Sequence, residues 1–152
     1  APPTEDELEQ ILERTTEGEP ITARKVLDGK RLLELREVVQ KAPVEPEARR
    51  RAVAVCAATQ PDSPRATEEV RRFVRYGASP RGAQSLVLGA KVRAIMAGRY
   101  GATADDVQAV ARPALRHRLL LSYEGQAEGI DPDRLIDAVL AAGSGTSSAP
   151  TP

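Results

Sequence analysis

The chain has 152 residues and a mass of 16.3 kDa, about the length of one domain. Hydrophobic residues make up 41% of it and charged residues 29%, a composition that excludes a wholly disordered chain. Lys and Arg (22) balance Asp and Glu (22), which argues against a polyanion binder that works by bulk charge, and the 3% aromatic content argues against a stacking platform for single-stranded nucleic acid.

Helix signals recur along the chain. Six segments combine a capping residue or an N-terminal proline with apolar residues at helical spacing, and the first opens with a capping box formed by Thr4 and Glu7. In chain order they are residues 4–16, 28–42, 46–59, 80–97, 103–115 and 131–140. Pro113 lies inside the fifth segment and predicts a kink or a break there. Residues 60–65 contain two prolines and predict a loop.

Strand signals are sparse. Residues 70–76 and 119–123 have a composition that suits extended chain, but two short strands lack the company that a sheet requires. Residues 143–152 (GSGTSSAPTP) offer nothing to bury and predict a disordered tail. We therefore predict an all-α domain over residues 2–142, built as a small bundle of five to six helices.

Charge is unevenly distributed despite the net balance. Residues 1–49 carry eight basic and 12 acidic side chains, residues 75–118 carry eight basic and two acidic, and residues 119–152 carry one basic and five acidic. This layout favours a local phosphate-facing patch on an otherwise acidic protein over a surface that coats DNA.

The sequence holds none of the common catalytic or metal-binding motifs. The Gly-Lys pair at residues 29–30 is followed by Arg31, where a phosphate-binding P-loop requires Ser or Thr. His117 is the only histidine, which excludes paired-histidine zinc sites. The adjacent carboxylates of Asp105 and Asp106 suit a metal pair at first sight, but a first helical turn favours carboxylates through the helix dipole, and we predict that role for them.

The single cysteine and the short apolar runs indicate the compartment. Cys56 has no partner for an internal disulfide or a cysteine-based zinc site, and we predict that it packs as a small hydrophobic residue. The longest apolar run, residues 52–58, is far too short to span a membrane, and no signal-peptide pattern opens the chain. These features predict a cytoplasmic protein with no membrane partner.

Arg81 is unusual because it falls in the first turn of a predicted helix, where the helix dipole disfavours a cation. The N-terminal amides of that helix, the Ser79 cap and the guanidinium of Arg81 can form a compact phosphate site next to Pro80. The same helix has a second apolar face, which Arg81 heads. Either a second body covers that face, or the helix is buried all round and Arg81 is solvated at its end.

Five strings around Arg81 form a distinctive set. They are Arg75-Tyr76-Gly77-Ala78-Ser79-Pro80-Arg81-Gly82, Ala90-Lys91, Gly98-Arg99-Tyr100, Asp105-Asp106-Val107 and Leu115-Arg116-His117-Arg118. Together they resemble the C-terminal lid of MoxR-type AAA+ ATPases, and the resemblance covers about residues 2–140. Pro3 to Leu12 resembles the segment that follows the last strand of the ATPase core. Ala57 to Pro61 resembles the "ATR-P" turn of the family, with Gln60 in place of the usual Arg.

The resemblance implies that Arg81 is the sensor 2 arginine, with Ser79 and Pro80 beside it. In that family this arginine reaches from the lid to the terminal phosphates of ATP. The P-loop, the acidic metal-binding motif and the arginine finger belong to the preceding core, so ATP and Mg²⁺ are expected as cofactors of the full-length parent. The chain then looks like an excised lid that binds no cofactor by itself and hydrolyses no ATP.

The resemblance also implies partners. They are the AAA+ core domain of the same chain, neighbouring subunits of a ring, and von Willebrand factor A-type proteins that family members remodel. Neither nucleic acid nor a membrane is expected as a partner. His117 and Arg118 match the His-Arg pair of the family, either with a structural role or in contact with the core or an adjacent subunit. Arg99 is expected to anchor the turn between two helices.

Two other classes of function stay open at this stage. A helix-turn-helix DNA binder would use residues 103–118 as its reading helix, with Arg112, Arg116, His117 and Arg118 on it. Pro113 inside that helix and the zero net charge count against this class. A stand-alone helical adaptor would dock a partner helix on the second apolar face of the helix that carries Arg81.

Overall fold

The computed structural model describes residues 2–16 and 23–143. The chain divides into two compact units, the first of which ends at Leu33 and the second of which begins at Glu34. Of the predicted disordered tail, residues 143–152, only Gly143 is described, as the residue that caps the end of the last helix, and the rest lies outside the described residues. No helix in the described ranges combines the length and the apolar character needed to cross a bilayer.

The described part of the first unit contains the helix α1 (Glu5–Thr16) and the start of α2 (Gly29–Lys41). The predicted capping box is confirmed, because the Thr4 amide donates to the Glu7 carboxylate at 2.8 Å and the Glu7 amide donates to the Thr4 hydroxyl at 3.3 Å. Asp28 caps α2 as predicted, and its carboxylate accepts from the Arg31 amide at 2.7 Å. Neither helix contains a buried residue.

The second unit holds the remaining elements. They are α3 (Pro46–Ala58), α4 (Glu68–Phe73), β1 (Val74–Tyr76), α5 (Pro80–Met96), α6 (Ala104–Leu115), a 3-10 turn (Arg116–Arg118), β2 (Leu120–Leu121), α7 (Tyr123–Ala127) and α8 (Pro132–Ala142). The predicted all-α class is confirmed. The described ranges contain eight α-helices, more than the five to six predicted, because α4 and α7 are too short for apolar periodicity to reveal them.

The core of the second unit lies between α3, α5, α6 and α8. Helix α5 packs against α6 along its length, and α3 contacts both of them. The largest fully buried apolar side chains are Leu86, Leu115, Leu135, Ile136, Val55, Val70, Val107 and Val139. Small residues such as Ala90 and Ala94 on α5 are fully buried as well, which lets the helices approach closely.

The two segments with strand-like composition pair with one another. Strand β1 runs antiparallel to β2, with Val74 opposite Leu121 and Tyr76 opposite Leu120. Each strand is therefore the pairing partner of the other, which the sequence did not reveal. Both segments are also partly helical, since residues 70–73 belong to α4 and α7 starts at Tyr123. The sheet is small enough to leave the all-α class unchanged.

Pro113 does not break α6. The helix continues through it to Leu115 and then tightens into the 3-10 turn. Proline removes the amide that would bond to the carbonyl four residues earlier, but here that carbonyl belongs to the exposed Ala109, so water can satisfy it. The helix ends two residues after the proline, so the expectation of a break at this position is wrong.

Candidate functional site

The structure places Ser79, Pro80 and Arg81 together at the N-terminus of α5, and all three are exposed. Ser79 occupies the N-cap position, as predicted, but its hydroxyl makes no capping hydrogen bond. Its carbonyl accepts instead from the Gly82 amide at 2.7 Å. Pro80 at the first helical position has no amide to satisfy, so the helix starts without help from the Ser79 hydroxyl.

The end of α3 forms a platform that holds the loop before α5. The buried Thr59 hydroxyl accepts from the Ala78 amide at 2.9 Å and donates to the Cys56 carbonyl at 2.7 Å. The Gln60 amide group donates to the Ala78 carbonyl at 3.0 Å and accepts from the Gly77 amide at 3.3 Å. Gln60, which replaces the arginine of the resembled family, therefore fixes the loop that leads to Arg81.

Two further contacts fix the same loop at close range. A Cβ on Gly77 would lie 2.3 Å from the Thr59 carbonyl oxygen, so only glycine allows the two backbones to approach this closely. The Cys56 sulfur lies 3.1 Å from the Ala78 carbonyl oxygen and 3.3 Å from that of Ser79. Burial raises the pKa of the Cys56 thiol, which keeps it a neutral donor. Cys56 packs in the core as predicted.

Arg81 is the exposed cation that this anchored loop presents. Across residues 2–16 and 23–143, the structure gives its guanidinium neither a hydrogen bond nor an ion pair. Its carbonyl accepts from the Ser85 hydroxyl one turn later at 2.9 Å. The backbone of Arg81 is thus held by α5, while the charged end of its side chain is open to solvent. A planar guanidinium in this state can bind two phosphate oxygens at once.

His117 and Arg118 lie beside the second turn of α5. The Arg118 guanidinium donates to the Ala114 carbonyl at 2.9 Å and to the Ser85 hydroxyl at 3.1 Å, and it also contacts the His117 ring. These bonds tie the end of α6 to α5, which supports the structural role that the sequence left open for Arg118. A chain of contacts therefore leads from Arg118 through Ser85 to the backbone of Arg81.

The Asp106 carboxylate holds the turn before α6 through hydrogen bonds from Arg99 and Thr103, whereas its neighbour Asp105 is exposed. Asp106 is buried, and both of its carboxylate oxygens accept from Arg99, at 2.6 and 2.8 Å. It also accepts from the amide and the hydroxyl of Thr103, each at 3.0 Å. The hydrogen bonds from Arg99 hold the pKa of Asp106 well below its usual range. Arg99 thus anchors the turn before α6, as predicted.

The described ranges contain no group of side chains arranged to bind a metal ion. The structure there brings together no cluster of three His, Cys, Asp or Glu side chains that could hold an ion. With both Asp106 oxygens engaged by Arg99, the pairing of Asp105 with Asp106 as metal ligands is not supported.

The other cations of the predicted reading helix are paired. Arg112 forms two hydrogen bonds with Asp137 on α8, at 2.8 and 2.7 Å, and Arg116 bonds to Asp133 at 2.8 Å. The acidic side chains of α8 therefore neutralise much of the basic character that the sequence assigned to this segment. This pairing could not be read from the sequence, because the partners are 17 or 25 residues apart.

Comparison with known proteins gives the family. Residues 63–139, half of the chain, match the model of the AAA lid domain family. The chain belongs to this family. Chaperone MoxR1 of Mycobacterium tuberculosis is 31% identical over 138 residues, which cover 91% of this chain and 36% of that protein. Protein MoxR of Paracoccus denitrificans is 43% identical over 75 residues, or 48% of this chain and 22% of that protein. The resemblance to a MoxR-type AAA+ lid is therefore confirmed.

A solved structure agrees with this assignment. A protein of Cytophaga hutchinsonii that is assigned as an ATPase superposes with a TM-score of 0.74 and 25% identity, over 91% of the lid and 42% of that protein. The lid thus spans between about a fifth and two fifths of the length of these relatives. The matched family region includes Ser79 and Arg81 but not Thr59 or Gln60, which hold their loop.

Proposed function

We propose that this MoxR-type lid closes over ATP bound by an AAA+ core in the same polypeptide, and that Arg81 contacts the terminal phosphates as the sensor 2 residue. The observation that supports the proposal is the state of Arg81. It is an exposed guanidinium without a partner among the described residues, in the first turn of a helix whose entry loop is held by side-chain contacts from Cys56 on α3 and from Thr59 and Gln60 just after it.

The donor set suits a phosphate. Arg81 supplies a fixed positive charge and a planar pair of N–H donors, and the Ser79 hydroxyl next to it is free of a capping bond. These two residues would hold the terminal phosphate of ATP, which is the group that is transferred to water during hydrolysis. Charge that builds on the phosphate oxygens during transfer would be stabilised by the guanidinium. We assign Mg²⁺ to the core, because the resembled family keeps its acidic metal-binding motif there.

The anchored loop gives Arg81 its mechanical role. A force on the Arg81 side chain acts on α5, and α5 packs against α6 and α3. The second unit would therefore move as a rigid body when a phosphate is bound or released. We propose that this motion passes to neighbouring subunits of a ring and drives the remodelling of partner proteins, von Willebrand factor A-type proteins among them, in the cytoplasm.

The helix-turn-helix alternative has less support. Two of its basic side chains, Arg112 and Arg116, are already paired with carboxylates of α8, so they would have to break these ion pairs to reach DNA. If the chain shifted the electrophoretic mobility of duplex DNA at physiological ionic strength, in a salt-dependent way, this alternative would be favoured over the lid function.

The test is the exchange of Arg81 for alanine in the intact protein that joins this lid to its AAA+ core. We expect the turnover of ATP to fall about a hundredfold, the size of effect seen when one donor to a developing charge is removed. The unfolding midpoint should stay the same, because the side chain touches no partner in the described ranges.

Arg75→Ala is the matched control. Arg75 is also exposed and lies only six residues earlier, in β1, where its guanidinium sits over the Tyr76 ring at 5.3 Å. This variant should keep the turnover of the unmodified protein. Unchanged turnover in Arg81→Ala would refute the sensor assignment, and an equal loss in both variants would point to general damage.

A further inference from the structure

An open groove runs along one side of the second unit, between α5 and the pair formed by α6 and the 3-10 turn. Its volume is about 820 Å³, and it begins at Ser85, one turn beyond the phosphate-facing Arg81. Hydrophobic groups form much of its wall, including Val92, Met96 and Val110. Val92 is 40% exposed and Met96 is 83% exposed, so this wall has no cover within the described residues.

The spacing of the wall residues matches the shape of a helix. On α5 the groove is lined by Ser85, Gly89, Val92 and Met96, which recur at alternating steps of four and three residues. On the opposite wall Val110, Ala114 and His117 recur in the same way. Steps of three and four are the pattern by which one helix receives the side chains of another. The α5 row is about 17 Å long at 1.5 Å per residue, which is room for about three turns.

The rim of the groove is basic. Arg93, His117 and Arg118 line it, and no acidic side chain does. Arg118 bonds to a carbonyl and a hydroxyl, and no carboxylate in the described part of the chain pairs with it. Arg93 lies 3.4 Å from the Asp106 carboxylate but remains 57% exposed. An occupant with carboxylates beside an apolar stripe would therefore gain ion pairs on binding.

We propose that this groove is a docking site for an amphipathic helix of a partner protein whose apolar stripe is flanked by acidic residues. The apolar stripe would pack between α5 and α6, and the carboxylates would meet Arg93 and Arg118 at the rim. The groove lies on the same side of α5 as Arg81 and starts one turn beyond it, and its apolar wall would receive a helix, whereas Arg81 would receive a phosphate.

The probe is a fluorescent synthetic peptide of about four helical turns, with leucines at steps of three and four and glutamates on both sides of them. Its twin carries lysines in place of the glutamates. In fluorescence anisotropy with the full chain, the acidic peptide should bind at least about tenfold more tightly than the twin, and its affinity should fall as salt is raised.

Two variants locate the binding. Met96→Glu and Val92→Asp each place a carboxylate inside the groove, and each should lower the affinity for the acidic peptide at least about tenfold. Val53→Asp is the matched control, since Val53 is 58% exposed on α3 and lies outside the groove. Met96→Glu is expected to fold because its side chain is mostly exposed, and circular dichroism would verify this.

Three results would overturn the proposal. The first is equal affinity for the acidic and basic peptides, or binding of neither. The second is undiminished binding by Met96→Glu and Val92→Asp. The third is a dimer of the chain in sedimentation that either variant dissociates, because a second copy would then be the occupant.

Discussion

Gly77 is the residue at which the loop before α5 comes closest to the end of α3. Any Cβ there would lie 2.3 Å from the Thr59 carbonyl oxygen and 2.7 Å from the Gln60 amide nitrogen. Both atoms belong to the backbone, so neither can turn aside as a flexible side chain would. The position of Arg81 thus depends on a glycine, which has no side chain, four residues earlier in the chain.

Gly77→Ala should therefore lower the free energy of unfolding by about 2 kcal/mol or more, because the loop must move away from Thr59 and lose its hydrogen bonds. Urea titration followed by circular dichroism measures the change. Gly101→Ala is the control, since a Cβ on Gly101 meets nothing within 4 Å. Equal stability of the two variants would show that the close approach does not constrain the loop.

Asp106 makes the stability of the second unit depend on pH. Its pKa is lowered chiefly by the hydrogen bonds from Arg99, so the folded state favours the charged carboxylate. Such a group stabilises the folded state above the pKa of the unfolded chain, about 3.9, and this contribution is lost as the pH falls below that value. Acid should therefore weaken the turn before α6.

Asp106→Asn should lower the free energy of unfolding at pH 7 by about 2 kcal/mol or more, because it leaves a buried position facing Arg99 without its charge. The variant should also lose less stability than the unmodified chain between about pH 6 and pH 3. Urea midpoints at both values give the comparison. Asp105→Asn, a change of the exposed neighbour, should stay within about 0.5 kcal/mol at pH 7. Parallel pH profiles for the Asp106 variant and the unmodified chain would contradict this account.

Helix α5 shows how two apolar faces on one element can have different roles. Leu86 is fully buried, whereas Leu88 is 48% exposed two residues later. The prediction of a second apolar face is confirmed, and the alternative of a helix buried all round is wrong. Only the Leu86 face contributes to the core of the second unit.

This difference can be measured with one pair of variants. Leu86→Ala should lower the free energy of unfolding by about 3 kcal/mol, through lost transfer energy and the cavity left behind. Leu88→Ala should change it by no more than about 0.5 kcal/mol, because its side chain already meets water. Urea titrations of both variants test this. A large loss in Leu88→Ala would mean that the exposed face is covered in solution, by self-association for example.

The sequence was a good guide to long elements and a poor one to short ones. Capping residues and prolines revealed α1, α5 and α8 because these helices are long enough to show apolar periodicity. The caps Thr67 and Ser122 mark α4 and α7, but those helices have six and five residues and no readable period. The pairing of β1 with β2 joins segments about 45 residues apart, and no local pattern carries that information.

The sequence pointed to Ser79, Pro80 and Arg81 as candidate site residues, but it did not reveal the residues that hold their loop. Arg81 stood out because a cation at a helix N-terminus conflicts with the helix dipole. Thr59 and Gln60 gave no such signal, since their role lies in bonds to a loop 17 to 19 residues away. The ion pairs of Arg112 and Arg116 with α8 were hidden for the same reason. Tertiary contacts decide which polar side chains are left free.

Across the whole molecule, the two units differ in what stabilises them. Helices α1 and α6 both have 12 residues, and an isolated helix of this length is only marginally stable in water. In α6 four residues are buried, including Val107 and Leu115. In α1 none is buried, and Leu8 and Ile11 are each more than 45% exposed. Packing therefore holds α6 in place, while α1 depends on its capping box and its own backbone bonds.

Hydrogen exchange should separate the two helices. Amides in the middle of α6 should exchange only when the second unit unfolds, with an opening free energy of about 5 kcal/mol or more. Amides of α1 should exchange close to the rate of an unstructured peptide, because opening that helix exposes no buried surface. Exchange followed by mass spectrometry on the full chain, at two protein concentrations, makes the comparison between helices of equal length. Protection of α1 as strong as that of α6 would show that its apolar stripe is covered in solution. Protection that rises with concentration would assign the cover to a second copy of the chain.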